Sequence, residues 1–158
     1  MPIIEVITYI DAPPACCFAL ALNVDLHALS ARQTGEQIVG GVRHGQLQLH
    51  DSVTFRARHF GVWQILTSQI TALETPRYFR DEMQQGAFRW MRHEHFFEPV
   101  GPAATCMRDV FAFESPLGVL GQIADWLVLR RYLRRFLVQR GTVLKQHAEE
   151  QEKTCPSS

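Results

Sequence analysis

The segment PLGVLGQIADWLVLRRYLRRFLVQRGTVLKQH, residues 116–147, is the longest amphipathic stretch of the chain. Ser115 and Pro116 are typical of a helix start, because a hydroxyl can cap the first turn and proline at the first helical position loses no hydrogen bond. The apolar side chains recur at three- and four-residue spacings and include Val119, Trp126, Leu129, Tyr132, Leu133, Phe136, Leu137 and Leu144. The segment therefore predicts one helix of roughly 30 residues, which is long enough to cross a small domain.

The other side of this predicted helix carries arginines, which we interpret as a solvated face: Arg130, Arg131, Arg134 and Arg135. Gly141 interrupts the pattern at a cost of about 1 kcal/mol relative to alanine, so we expect the helix to bend or fray there. Residues 149–158 are polar and are expected to be a disordered tail. The predicted organisation is one domain over residues 1–148, followed by this tail.

Composition indicates an ordinary soluble domain. The 158 residues are 46% hydrophobic and 20% charged, and 16 basic side chains balance 16 acidic ones. A chain without net charge has no overall field that would favour nucleic acid. No stretch approaches 18 uninterrupted apolar residues, and the N-terminus opens on a strand pattern, so neither a membrane span nor a signal segment is expected. We therefore expect a cytoplasmic protein.

Upstream of the long helix, the sequence predicts one strand, two short helices and about six further strands. Residues 3–10 form the first β-rich run, and alternating patterns with glycine and proline turns fill residues 37–115, including a predicted strand around Leu47 and Leu49. This β-α-α-β6-α order is typical of an α+β fold in which a curled antiparallel sheet of about seven strands wraps around the final helix. A curled sheet rarely closes without a gap, so we expect an internal ligand cavity.

Alternation in the hairpin of residues 86–114 predicts which side chains face this cavity. A turn centred on Gly101 would pair His95 with Met107 and His93 with Asp109. The even-numbered side chains are mostly charged, so the odd-numbered ones should point inward. With the same alternation in neighbouring strands, the candidate ligand-binding residues are Phe55, His59, Phe79, Asp81, Met91, His93, His95, Met107, Asp109, Phe111 and, from the helix, Trp126.

The polar members of this set need partners, because an unpaired buried polar group costs about 1 to 3 kcal/mol. They have four interpretations: structural pairs such as His93 with Asp109, an anchor for a ligand, a metal site, or a general base. Two histidines and a carboxylate are a known ligand set, but the sequence has no further metal signature, and we assign neither a metal nor a cofactor. The candidate catalytic residues are His59, His93, His95 and Asp109.

Short motifs along the chain carry a family resemblance. They are Arg58-His59-Phe60-Gly61, Phe79-Arg80-Asp81, Gly86-Ala87-Phe88, Arg92-His93-Glu94-His95-x-Phe97, Thr105-x-Met107-x-Asp109 and Ser115-Pro116-Leu117-Gly118. Over residues 3–146 the chain resembles the START-like, or SRPBCC, superfamily, in particular its bacterial polyketide cyclase/dehydrase-like branch. This resemblance implies a Bet v 1-like helix-grip fold with a deep hydrophobic cavity. Met91 and Ala87 depart from the pattern of that branch, so the ligand's shape should differ.

Three functions remain as hypotheses. The first is a binding protein for a small hydrophobic molecule (a lipid, a polyketide or an aromatic compound) with no assigned reaction. The second is a cyclase/dehydrase-type enzyme that uses the cavity histidines and aspartates as acid and base. The third is an interaction module that works with an epimerase-like partner, with the arginine face of the long helix as the contact; the branch that the chain resembles also occurs fused to sugar-epimerase-like domains. The expected partners are the small ligand and a second copy of the chain or an epimerase-like protein.

Overall fold

The structure is a computed structural model that describes residues 2–30, 35–114 and 128–154. Its strands are β1 (Ile3–Ile10), β2 (Gln37–Gly41), β3 (Ser52–His59), β4 (Val62–Glu74), β5 (Tyr78–Gln85), β6 (Trp90–Pro99) and β7 (Thr105–Glu114). Its helices are α1 (Pro14–Ala21), α2 (Val24–Ser30) and α3 (Arg130–Thr154). The predicted helix start at Ser115 and the predicted contribution of Trp126 lie outside the described residues.

The strands form one antiparallel sheet with the order β1-β7-β6-β5-β4-β3-β2. Sequential strands are neighbours except for β1, which returns to pair with β7 along its whole length. The edge strands β1 and β2 are not paired with each other, so the sheet curls without closing. The predicted α+β class and the predicted seven strands are confirmed.

Helix α3 packs across the inner face of the sheet, mainly against β1, and also contacts α1 and α2. Its buried residues, Leu137, Gly141, Leu144 and Ala148, repeat every three or four positions and so form one stripe. The arginines of the predicted solvated face are mostly exposed, although Arg134 also donates a hydrogen bond to the backbone oxygen of Glu5 at 3.1 Å. Among the described residues, no helix has an apolar run long enough to cross a membrane.

The end of α3 differs from the prediction in two respects. The helix continues through Gly141, and residues 149–154 are helical rather than part of a disordered tail. Glycine suits this position because α3 approaches β1 closely: a Cβ here would lie 2.7 Å from Oγ1 of Thr8, so the threonine side chain would have to move. The last turns are held by Glu149, whose carboxylate pairs with Lys145 at 2.5 Å and accepts the backbone N–H of Asp11 at 3.0 Å.

The β6–β7 register differs from the prediction by two residues. His95 lies opposite Asp109, and Phe97 lies opposite Met107, because the loop is centred on residue 102 rather than on Gly101. A shift of two residues keeps every side chain on its predicted face, and the odd-numbered residues are indeed buried. The strand predicted around Leu47 is instead a loop, joined to the rest by a bridge between Asn23 and Gln46.

Candidate ligand cavity and polar cluster

A cavity of about 570 Å³ lies between the inner face of the sheet and α3. Its lining is mostly apolar because the inward positions of β3 to β7 and the buried stripe of α3 are mostly aliphatic or aromatic. The predicted residues that line it are Phe55, His59, Phe79, Asp81, Met91, His93 and Phe111, and further apolar lining comes from Val53, Leu66, Ile70, Phe88, Leu133, Phe136 and Leu137.

The other predicted residues on the inner face lie behind this cavity. His95, Met107 and Asp109 line a smaller void of about 40 Å³ between the sheet and α3. His93 lines both spaces, so it stands between the large cavity and the small one. The sequence therefore placed all three residues on the correct face but not in the large cavity.

Four adjacent strands bring five polar side chains together, which we call the polar cluster: Ser68, Asp81, His93, His95 and Asp109. Direct cross-strand pairing explains the grouping, because Asp81 lies opposite His93 and His95 lies opposite Asp109. Cross-strand neighbours on one face have side chains close enough to interact. The cluster is thus a consequence of strand register.

Hydrogen bonds link the polar cluster into a chain. Nδ1 of His95 lies 2.6 Å from Oδ1 of Asp109, and Nε2 of His95 lies 3.3 Å from Oδ1 of Asp81. The Ser68 hydroxyl donates to Oδ2 of Asp81 at 2.5 Å. Because of the shifted register, His95 rather than His93 makes the short contact with Asp109, and Nε2 of His93 remains 3.5 Å from the same oxygen.

These contacts determine the charges of the cluster. Burial lowers the pKa of His95, but its hydrogen bonds to Asp109 and Asp81 and their charges outweigh burial and raise that pKa to about 9. Burial raises the pKa of both carboxyls, but the histidine contacts together hold each pKa well below its usual range. Burial and the neighbouring His95 lower the pKa of His93. At neutral pH the cluster therefore holds two carboxylates, one imidazolium and one neutral imidazole.

His93 is the member of the cluster with spare hydrogen-bonding capacity. It is 7% exposed, and its Nε2 has no hydrogen bond with any residue that the structure describes. Its ring lies 3.8 Å from that of His95 and meets the ring of Phe111 edge-on at 5.3 Å. Phe79 stacks on His95 at 4.1 Å, so aromatic rings fix both imidazoles.

A second group of polar side chains in the cavity lining was not predicted. Arg140 of α3 donates to Nδ1 of His27, and its guanidinium lies 3.7 Å from the Glu36 carboxylate. Burial and Arg140 lower the pKa of His27 to about 3, and burial raises the pKa of Glu36. Arg140 follows Phe136 by four residues, so helical spacing could have placed it on the inner face.

His59 is not part of the polar cluster. Its Nδ1 lies 2.7 Å from the hydroxyl oxygen of Tyr132 on α3, and its ring meets that of Phe136 edge-on at 6.0 Å. Burial, and to a smaller extent the charge of Arg140, lower the pKa of His59. Of the four candidate catalytic residues, three therefore belong to the polar cluster: His93, His95 and Asp109. The fourth, His59, is hydrogen-bonded to Tyr132 of α3 instead.

Neither a protein-family model nor a curated protein matches the sequence. Solved structures do match the fold. The Zhui aromatase/cyclase from Streptomyces sp. R1128 superposes with a TM-score of 0.79 at 14% identity, and the match covers 99% of both chains. A START superfamily protein from Mycobacterium smegmatis gives a TM-score of 0.71 at 13% identity, over 94% of this chain and 97% of that chain.

The chain has the START-like helix-grip fold. A major latex-like protein from Panax ginseng is similar to it as well, with a TM-score of 0.65 at 14% identity over 93% of this chain and 97% of that chain. In the helix-grip fold of this chain, α3 is the gripped helix and the polar cluster lies on the sheet beneath it. The sequence motifs predicted this fold, and the arrangement of the strands and helices agrees with it.

Proposed function

We propose that this helix-grip protein binds a small, mostly apolar molecule, such as a lipid, a polyketide or an aromatic compound, between the sheet and α3. The observation that carries the proposal is the cavity of about 570 Å³ with its mostly apolar lining. Sites for small ligands and cofactors commonly have volumes of about 300 to 1,000 Å³ and few polar groups. The likeness to a START superfamily protein and to an aromatase/cyclase supports this class of ligand.

The arrangement of the lining suggests how such a molecule would be oriented. Its apolar body would lie against Phe55 and Phe111 and against the apolar side of α3, where burial of surface contributes about 25 cal/mol per Å². A hydroxyl or carbonyl group would point to His93 and Asp81, the members of the polar cluster that line the large cavity together with Ser68. A ligand with one polar end therefore fits the lining better than a hydrocarbon.

The proposal is tested with N-phenyl-1-naphthylamine, a neutral apolar probe that fluoresces in apolar surroundings. Ala57 lies on the cavity side of β3, so Ala57→Phe places a ring in the cavity. The matched control is Ala72→Phe, because Ala72 pairs with Arg80 on the outer face of β4 and β5. We expect at least about tenfold weaker probe binding for Ala57→Phe, corresponding to about 1.4 kcal/mol, and wild-type binding for Ala72→Phe. Equal affinities of the three proteins would overturn the proposal.

The position of His93 in the cavity lining favours a second candidate, a cyclase/dehydrase-type enzyme. An imidazole beside the cavity can hydrogen-bond a carbonyl oxygen of a bound ketone and hold it in a reactive orientation. The test is turnover of polyketide-like aromatic ketones by the wild type and by His93→Gln, with probe binding measured on both. Turnover that falls in the variant while the probe still binds supports the enzyme. Turnover that is unchanged, or absent from the wild type, rejects it.

A further inference from the structure

We propose that Asp81, His93 and His95 bind one divalent transition-metal ion, Zn²⁺ being the ion that their chemistry suits. Two imidazoles and a carboxylate form a donor set that protein metal sites use. This inference goes beyond the proposed function because it concerns an ion and does not depend on the apolar ligand.

The separation of the donor atoms fits such an ion. One donor atom from each of the three residues lies within 4.8 Å of the others. Nε2 of His95 is 3.3 Å and Nδ1 of His93 is 3.9 Å from Oδ1 of Asp81. Tetrahedral zinc with bonds of about 2.0 to 2.1 Å places its ligand atoms about 3.3 to 3.4 Å apart. The first distance already has this value, and the second would have to shorten by about 0.5 Å on binding.

Asp109 occupies the position of the supporting carboxylate behind the histidines. Its Oδ1 lies 2.6 Å from Nδ1 of His95 and 3.5 Å from Nε2 of His93, which are the two nitrogens that point away from Asp81. A histidine that binds a metal usually donates its other ring N–H to such a carboxylate, which fixes the tautomer and the ring orientation. One oxygen of Asp109 can serve both rings. Zinc binding releases the proton that Nε2 of His95 otherwise donates to Asp81.

Ser68 prepares the carboxylate ligand. Its hydroxyl donates to Oδ2 of Asp81 at 2.5 Å, which leaves Oδ1 directed at the two histidines. Hydrogen bonding to a ligating carboxylate is the second common support of a metal site. Each of the three donor residues therefore has a partner that orients it, and these partners come from strands on either side.

On the side of the proposed ion, Nδ1 of His93 lies 3.9 Å from Oδ1 of Asp81, which is beyond hydrogen-bond distance. A buried polar atom without a partner costs about 1 to 3 kcal/mol in most proteins. Nε2 of His93, on the opposite side of the ring, has no hydrogen bond among the described residues and lies 3.5 Å from Oδ1 of Asp109, so it faces the supporting carboxylate and not the proposed ion. Because His93 and Asp81 also line the large cavity, a fourth ligand, either water or a polar group of a bound molecule, can reach the ion from that side.

The test is a calorimetric titration of the EDTA-treated full chain with ZnCl₂. We expect one tightly bound ion per chain in the wild type, at least about 100-fold weaker binding in Asp81→Asn, and about tenfold weaker binding in Ser68→Ala. The control is His44→Gln, which removes a histidine 2.8 Å from Asp25 on the surface, where zinc could also bind, and which should leave the affinity unchanged.

A wild type that binds no zinc, or an affinity that Asp81→Asn leaves unchanged, would overturn the proposal. If Asp81→Asn does not fold, X-ray absorption at the zinc edge of the wild type with one equivalent of zinc gives an independent answer. Scattering from two imidazoles is expected, and a spectrum without imidazole would reject the site. Probe binding to the cavity is measured separately, so failure of the metal site and failure of the cavity can be distinguished.

Discussion

Oδ1 of Asp109 lies 2.6 Å from Nδ1 of His95, and the two residues face each other directly across β6 and β7. Both side chains are buried, at 5% and 6% exposure, so their charges are not screened by solvent. Asp81 contacts the other side of the same imidazole at 3.3 Å. Removal of either carboxylate would therefore leave a buried charge on His95 with less to balance it.

Replacing Asp109 tests this expectation. Asp109→Asn keeps the size of the side chain and one hydrogen-bond acceptor but leaves less charge to balance His95. We expect a loss of about 2 to 4 kcal/mol in the free energy of unfolding, measured by urea denaturation in EDTA. The control is Glu98→Gln on the exposed end of β6, which should change stability by less than about 0.5 kcal/mol. Equal losses in the two variants would contradict this account of the cluster.

Gly141 provides a prediction about the contact between α3 and β1. Alanine normally stabilises a helix by about 1 kcal/mol relative to glycine. At Gly141 the added methyl group would lie 2.7 Å from Oγ1 of Thr8, so overpacking should outweigh that gain. We expect Gly141→Ala to lower the free energy of unfolding by about 1 to 2 kcal/mol.

The matched background for this substitution is Thr8→Ala, which removes the hydroxyl that causes the overlap. The next nearest atoms, Cε of Met107 at 3.6 Å and Cβ of residue 8 at 3.7 Å, are at ordinary contact distances. In this background Gly141→Ala should therefore be neutral or stabilising. A stabilising effect of Gly141→Ala in the wild-type background would show that α3 and β1 are less closely packed than described.

His27 predicts part of the pH dependence of stability. Its folded pKa is about 3, against 6.5 as the ordinary value, because burial and Arg140 disfavour the imidazolium. Arg140 contacts His27 and pairs with Glu36, and Asp81 and His95 also act on the charge of His27. Below about pH 6.5 the unfolded chain binds a proton that the folded protein does not, so stability falls as the pH falls toward 3.

The variant that isolates this effect is His27→Gln. Glutamine can still accept from Arg140 and donate to the backbone oxygen of Ala21, which His27 contacts at 2.9 Å. Between pH 7 and pH 5, the variant should lose about 1 to 2 kcal/mol less stability than the wild type in urea denaturation. Parallel losses in both proteins would mean that His27 titrates equally in the folded and unfolded states.

The alternation of polar and apolar residues along the strands was sufficient to predict much of the fold and which side chains of the polar cluster lie on the inner face of the sheet. Alternation in β6 and β7 placed His93, His95 and Asp109 on the inner face, because charged residues occupy the other face. The centre of the loop after Pro99 leaves no such signal, so the pairing was wrong by two residues. Gly141 was interpreted from helix propensity alone, which contains no information about the approach of Thr8.

Long-range contacts explain what the sequence did not reveal. His27, Glu36 and Arg140 come from α2, the segment before β2 and α3, and only the folded arrangement brings them together. Ser68 shares the alternation of Ile70 on β4, so its inward direction could have been predicted, but its bond to Asp81 depends on the register between β4 and β5. The strand pattern therefore predicts faces, whereas the chemistry of the cluster depends on register.

The most direct test of the proposed binding function is a crystal structure of the protein with N-phenyl-1-naphthylamine. The account predicts that the naphthyl ring lies between the sheet and α3, in contact with Phe55, Phe111 and Leu137, with its amine directed at His93 or Asp81. A probe bound on the outer face of the sheet, or side chains that fill the space between the sheet and α3, would contradict the central claim that this fold encloses a ligand cavity.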